Sequence, residues 1–494
     1  MEKSRPVPCD LTQKQAYTRA EPTATIGARR KVSRHVRNWG HGHKPTETVR
    51  SSDHRARCLR AAAAAVVARI PRPPPGNGTN GTTSAGSGTG SFPAVRKKIV
   101  FRVSTRILIL LLTLVSVGLF GVEAKAEPLY PQPDPDPFYA EPANLADLQP
   151  GDVVRTRTID TGLYLGTEGH QIAFRSTNSR NQPILGVTTV LMPVGVDNPP
   201  LVSYQALINS LGTRCNPSRS LFNGELQDAV GAMLPIGRGW AISVPDYLGP
   251  TVAYAAGRLS GMITLDSIRA VQQVAELGLA DAPVAIAGYS GGGLATGWAA
   301  ALQPTYAPEL KIDAAVAGGI PADLEQMALG LGFAPHPGFG LAFAAAMGLE
   351  REYPHRLPVS DQLNENGLWF REFTHDACRR FLLFHGAFRS AEQMAASKSL
   401  MDSPEAREVL HENSLRYFDG VPAMPTYLWH GRFDTLTPYD GVAEYADRAC
   451  KAGAPVKLTT YDIAEHMTAA VAGFADAWSF VEARFRGEDV PMGC

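Results

Sequence analysis

Three residues in this chain could share one proton along a line. Ser290 lies in Gly288-Tyr289-Ser290-Gly291-Gly292, a Gly-x-Ser-x-Gly pattern. Asp434 ends the run Trp429-His430-Gly431-Arg432-Phe433-Asp434, and His466 ends Ala464-Glu465-His466. A serine hydroxyl is a weak nucleophile; it needs a base within hydrogen-bond reach and an acid to orient that base. In this reading Ser290 attacks an acyl carbonyl, His466 shuttles the proton and Asp434 fixes the imidazole tautomer. The developing oxyanion would face the Gly291 N–H, at the start of a helix.

The surrounding elements must bring these groups together. A short apolar run at 283–287 predicts a buried strand, and the Ala-rich, Pro-free stretch 293–302 predicts a helix. A serine between them sits on a tight bend with its hydroxyl projecting from the sheet, and the flanking glycines leave no side chain to clash. The competing reading is a Gly/Ser loop that merely starts a helix. Further strands are predicted at 200–204, 240–244, 312–317, 425–429 and 456–461, and helices at 259–277, 439–452 and 468–485. A strand pair, 170–175 and 184–192, flanks the polar turn STNSRNQ. Strands alternating with helices imply a mostly parallel sheet covered on both faces. Asp434 then falls just past one strand, and His466 in the turn between the last strand and the last helix. Ser, Asp, His is the chain order of the α/β-hydrolase fold, and all three fall where strand C-terminal ends gather. His430 is the competing base, but its place at a strand end suits a structural role. Glu465 and Asp462 read as turn or solvated residues. Asp246, in PDYLG, reads as a pocket or hydrogen-bonding residue.

Residues 320–420 interrupt the alternation with helical patterns and little strand. The stretch 328–349 is unusually apolar, and Pro335, His336 and Pro337 break it, which makes it a poor membrane span. It reads either as ordinary buried helix or as a cap whose apolar wall receives an acyl chain. In the second reading Tyr289, Phe333, Phe339 and Phe343 contact substrate.

The equal totals of 47 basic and 47 acidic residues hide an asymmetry: residues 1–106 carry 21 Lys and Arg against 5 Asp and Glu. The remainder is therefore acidic by 16 charges, which disfavours nucleic acid as a partner. Residues 1–95 carry no helical or strand period and end in low-complexity Gly/Ser/Thr; they read as disordered, or as a start assigned too far upstream. In 96–126, Arg96-Lys97-Lys98, Arg102 and Arg106 precede a charge-free run of 16 residues at 107–122, and Ala124-Lys125-Ala126 gives a small-x-small site. This is the pattern of a signal peptide cleaved after about Ala126. The exported domain would be 127–494, secreted to an oxidising environment where disulfides persist. Six cysteines, Cys9, Cys58, Cys215, Cys378, Cys450 and Cys494, form no Cys-x-x-Cys pair, so no metal site is expected.

The segments PLVSYQ, GWAISVPDYLGP, SGMITLDSIRAV, GYSGGG, WHGRFDTLTPY and YDIAEHMTAAVAGFADAWSFV together resemble the secretory lipase family typified by the yeast lipase A type. The similarity spans nearly all of 141–494. It implies an α/β-hydrolase core, a helical cap inserted before the acid-bearing strand, and a Ser290, Asp434, His466 triad. It also implies disulfides Cys215–Cys378 and Cys450–Cys494, and an oxyanion residue at Asn209, where the yeast-type enzyme carries aspartate. The expected activity is secreted hydrolysis of carboxylic esters of fatty acids, acylglycerols foremost, with no metal or organic cofactor. The substrate is a lipid or ester, with transient contact at a lipid interface. Two alternatives share these residues: an acyltransferase on the same triad, and a non-catalytic hydrolase fold used for binding.

Overall fold

The computed structural model describes residues 127–226 and 228–493. The extension 1–95, the export signal 96–126 and Cys494 lie outside the described residues. Nine strands form one sheet: β1 (Val153–Ile159), β2 (Thr167–Thr177), β3 (Pro183–Pro193), β4 (Leu201–Gln205), β5 (Ala241–Pro245), β6 (Val284–Tyr289), β7 (Ala314–Gly318), β8 (Thr426–Gly431) and β9 (Val456–Tyr461). Their spatial order is β1-β2-β3-β5-β4-β6-β7-β8-β9. The first three strands and the β3–β5 pairing are antiparallel; from β5 to β9 the sheet is parallel. The central strands are buried on both faces, so they read as continuous apolar runs. In β6, Val284 and Ile286 face one core while Ala285 and Ala287 face the other. β1 was not predicted, although VVRTRTI carries a two-residue alternation. It runs at the sheet edge, where Arg157 bonds Gln171 and Asp136 and lies over the Phe138 ring.

Ten helices of eight residues or more are described. On the sheet lie α1 (Ala229–Gly237), α2 (Gly257–Gln273), α3 (Gly291–Tyr306), α9 (Tyr439–Lys451) and α10 (His466–Phe485). Between β7 and β8 come the cap helices α4 (Leu324–Gly332), α5 (Phe339–Glu352), α6 (Glu365–Thr374), α7 (Arg379–Gly386) and α8 (Pro404–Glu412). Side-chain caps start three of them: Asp323 accepts from Gln326 N, Asn364 from Gly367 N and Ser403 from Ala406 N. Among the described residues no helix is long and apolar enough to cross a membrane.

The cap has its own apolar cluster. Phe339, Phe343, Met347, Phe370 and Leu382 pack against Ile208, Leu211 and Tyr247 from the loops above the sheet. Cys215 and Cys378 join in a disulfide that links the loop after β4 to the start of α7. Cys450 is also disulfide-bonded; Cys494, the partner the resemblance assigns it, is outside the described residues.

Candidate active site

β4 sits between β5 and β6, so the chain leaves β4 toward one side and β6 toward the other. Ligand crevices in open α/β sheets form at such switch points, beyond the strand C-termini. Gln205 of β4 pairs with Gly288 of β6, which sets the loop after β4 beside the serine turn. Ser290 caps α3 with φ 56° and ψ −117°, a left-handed backbone that a non-glycine residue holds only under constraint. Its N–H donates to the Gly318 carbonyl at 2.8 Å, and Leu294 N–H donates back to the Ser290 carbonyl at 2.8 Å. The neighbouring glycines are required by contact. A side chain at Gly292 would overlap the Gln205 carbonyl, and one at Gly288 would overlap the Gly292 carbonyl.

His466 is the first residue of α10 rather than a turn residue. Glu465 is the N-cap in a capping box with Thr468, accepting from Thr468 N at 2.7 Å and Met467 N at 3.0 Å. This reciprocal cap fixes the helix start and so the imidazole. Ser290 Oγ lies 2.9 Å from His466 Nε2, and His466 Nδ1 lies 2.6 Å from Asp434 Oδ2. All three side chains are buried.

Asp434 is held by an Asx-type turn that closes over it. Leu436 N and Thr437 N donate to Oδ1 at 3.0 and 2.8 Å, and the Thr437 hydroxyl donates to Oδ2 at 2.7 Å. Burial alone would raise this carboxyl. The His466 hydrogen bond and charge, with the Thr437 donors, outweigh it and hold the group below the usual carboxylate range. Thr437 escaped the sequence reading, although its position three residues after Asp434 is the signal. His430 is fully buried and donates from Nε2 to the Thr437 carbonyl at 2.7 Å. Burial pushes its imidazole below the ordinary histidine value, so it stays neutral and braces the turn.

The remaining candidates separate. The Tyr289 hydroxyl donates to the His466 carbonyl, and its ring packs on His466 and Trp429 with centroids 5.2 and 5.7 Å apart. It braces the histidine from below. Asn209 is buried in the loop after β4 with φ 44°, and a side chain at Gly291 would overlap its Oδ1. Among the described residues no acceptor is paired with the Asn209 or Gly291 backbone N–H. Phe339 and Phe343 are buried in the cap cluster, with centroids 6.1 Å apart. Phe333, at the end of α4, is half-buried, with Lys398 Nζ 5.5 Å from its ring centroid. Asp246 is not part of the triad: it accepts from Ser218 N at 2.9 Å and Ser218 Oγ at 2.6 Å. Among the described residues no group of three His, Cys, Asp or Glu is placed to hold a metal ion.

A serine on a strand–helix bend, with an acid after β8 and a histidine at the helix start after β9 of a mostly parallel sheet, defines the α/β-hydrolase class. The secretory lipase family model matches residues 227–493. The secreted triacylglycerol lipase LIP1 of Malassezia furfur is 32% identical over 383 residues, covering 73% of this chain and 77% of that one. Lipase A of Moesziomyces aphidis is 31% identical over 386 residues, covering 74% and 82%. The crystal structure of Candida antarctica lipase A in its closed state superposes with a TM-score of 0.68 at 28% identity, covering 73% of this chain and 88% of that one. This chain belongs to the secretory lipase family, whose members are carboxylic ester hydrolases.

Proposed function

We propose that the protein is a secreted serine lipase that hydrolyses fatty-acid esters, acylglycerols foremost, through an acyl-enzyme. The observation that carries this reading is the line of Ser290 Oγ, His466 Nε2 and Nδ1, and Asp434 Oδ2, with spacings of 2.9 and 2.6 Å. His466 takes the serine proton as Ser290 Oγ attacks the ester carbonyl. The tetrahedral oxyanion is met by the backbone N–H groups of Gly291 and Asn209. As the intermediate collapses, His466 returns the proton to the leaving alcohol. Water then attacks the acyl-enzyme, with His466 as base again. Asp434 stays ionised throughout and stabilises the imidazolium. Tyr289 and His430 act as positioning residues, one on His466 and one on the acid turn.

Secretion is supported by the relatives named as secreted lipases and by the signal pattern ending at Ala126. Contact with a lipid interface is supported by exposed apolar side chains next to the triad. Phe433 precedes Asp434 and is 64% exposed, Ile463 is 95% exposed, and Met467, which follows His466, is 53% exposed. With the disulfide, the buried Phe339 and Phe343 hold the cap, and of the three cap phenylalanines read as substrate contacts Phe333 alone is half-buried and so the one able to meet an acyl chain. The test is a rate profile over esters of increasing acyl length, with Ser290→Ala as control. Hydrolysis that rises with acyl length and vanishes in Ser290→Ala supports the reading; equal rates in both proteins would remove it. Asn209→Ala should cost little, because it is the main-chain N–H that donates.

A further inference from the structure

Arg351, on the last turn of α5, is only 2% exposed, yet no ion pair to it is present among the described residues. Its donors all go to main-chain carbonyls. Nε reaches Leu129 at 2.9 Å; Nη1 reaches Leu211 at 2.8 Å, Thr251 at 3.0 Å and Val252 at 3.2 Å; Nη2 reaches His375 at 2.8 Å. Burial lowers the guanidinium to about 10, so it remains charged at neutral pH. A flat, five-donor fork can satisfy carbonyls in four chain segments at once; a lysine ammonium cannot. Two of those segments are strained, for Asn209 has φ 44° and Val252 has φ 50°. Such conformations persist only where their surroundings over-determine them.

The loop carrying Asn209 is fixed at both ends by groups outside the triad. At its start the Tyr247 hydroxyl donates to the Ala206 carbonyl at 2.8 Å, and Asp228 accepts from Leu207 N at 3.1 Å. At its end Leu211 N–H donates to Ala377 O at 3.0 Å, while Arg351 holds the Leu211 carbonyl. We propose that Arg351 is a positioning residue for catalysis: it ties the cap to the oxyanion loop and keeps the Asn209 N–H aimed at the developing negative charge. The proposal rests on the oxyanion reading above and assigns the geometry of that donor to a cap residue.

The test uses the full secreted chain, with active sites counted by exhaustive fluorophosphonate labelling. Arg351→Lys should lower kcat per labelled site about 10-fold to 100-fold, less than or equal to the loss of a whole oxyanion donor. KM should stay within about twofold, and the acid limb of the pH–rate profile should keep its position, because the triad is untouched. The initial labelling rate should fall in parallel, since phosphonylation develops charge on the same oxygen. A merely structural role would reduce the number of labelled sites and leave kcat per site unchanged, and that result overturns the proposal. If Arg351→Lys yields no folded protein, Tyr247→Phe releases the other end of the loop. A loss of about threefold or more in its kcat per site supports the proposal; wild-type kcat overturns it. Activity surviving in Ser290→Ala would instead remove the serine reading itself, whatever Arg351 does.

Discussion

The sheet and the cap are held together by different means. In the sheet, alternate side chains of each central strand enter two apolar cores, and polar groups gather at the C-terminal edge, where the triad lies. The cap is built of helices no longer than 14 residues, and its central helix α5 ends in three consecutive buried charged residues, Glu350, Arg351 and Glu352. Glu350 accepts from Ser360 N and Oγ, and Glu352 accepts from Ser179 N. The sheet therefore gets its shape from a repeating pattern, whereas the cap is seated by a separate apolar cluster, one disulfide and single polar contacts from Arg351 and Glu352 to distant segments. It follows that sheet substitutions at the triad should remove chemistry with the fold intact, and cap substitutions should remove seating with the triad intact.

The largest effect tests the first half of that contrast. His466→Ala and Ser290→Ala should each lower kcat by about 10⁴-fold or more, and the double variant should be little worse than either, because triad members act as a unit. Steady-state hydrolysis of a soluble ester checks this. His430→Gln should keep most activity; full activity in His466→Ala would instead raise His430 to the base.

Next comes the cap cluster. Phe339 is 3% exposed, so Phe339→Asp buries an unpaired charge and should unseat the cap, cutting acetate and long-chain hydrolysis alike. Phe333→Asp, at a half-buried position, should spare acetate and cut long-chain esters several-fold. The ratio of the two rates is the readout. Long-chain selectivity lost in Phe339→Asp alone would make that residue an acyl wall after all.

The disulfide follows. Cys215 and Cys378 close a loop of 163 residues, so the Cys215→Ser, Cys378→Ser pair should lose up to about 4–5 kcal/mol of stability in chemical denaturation, by the chain-entropy argument. Because the bridge ends the oxyanion loop, kcat should fall as well.

The smallest effect concerns Asp246. Burial raises its carboxyl to about 7, against the pull of the Ser218 donors. The folded state thus keeps a proton that the unfolded chain releases near pH 4, and the stability this group contributes is lost as pH rises from about 4 through 7. Asp246→Asn should remove that loss, gaining up to a few kcal/mol at pH 8 relative to pH 4 in denaturant midpoints.

These contrasts also explain what was legible in the sequence. β6, the serine turn, and helices α3, α9 and α10 announce themselves by apolar runs, period and flanking glycine, with boundary errors of a few residues. β1 was missed because its two arginines and two threonines leave only three apolar residues in VVRTRTI, and its partners appear only when Gln171 and Asp136 are seen to receive Arg157. Tyr289 reads as a pocket residue in the linear chain, since only the fold brings the His466 carbonyl to its hydroxyl. Arg351 carries no local signal at all: its acceptors lie 24 to 222 residues away, and carbonyl acceptors leave no trace in side-chain identity.

The central claim is that Ser290 is a nucleophile activated by His466. Fluorophosphonate labelling of the secreted protein, followed by peptide mass spectrometry, tests it directly. The account predicts one modified residue, Ser290, with labelling abolished in Ser290→Ala and slowed by orders of magnitude in His466→Ala. Labelling at another serine, or at Ser290 with undiminished rate in His466→Ala, would contradict it.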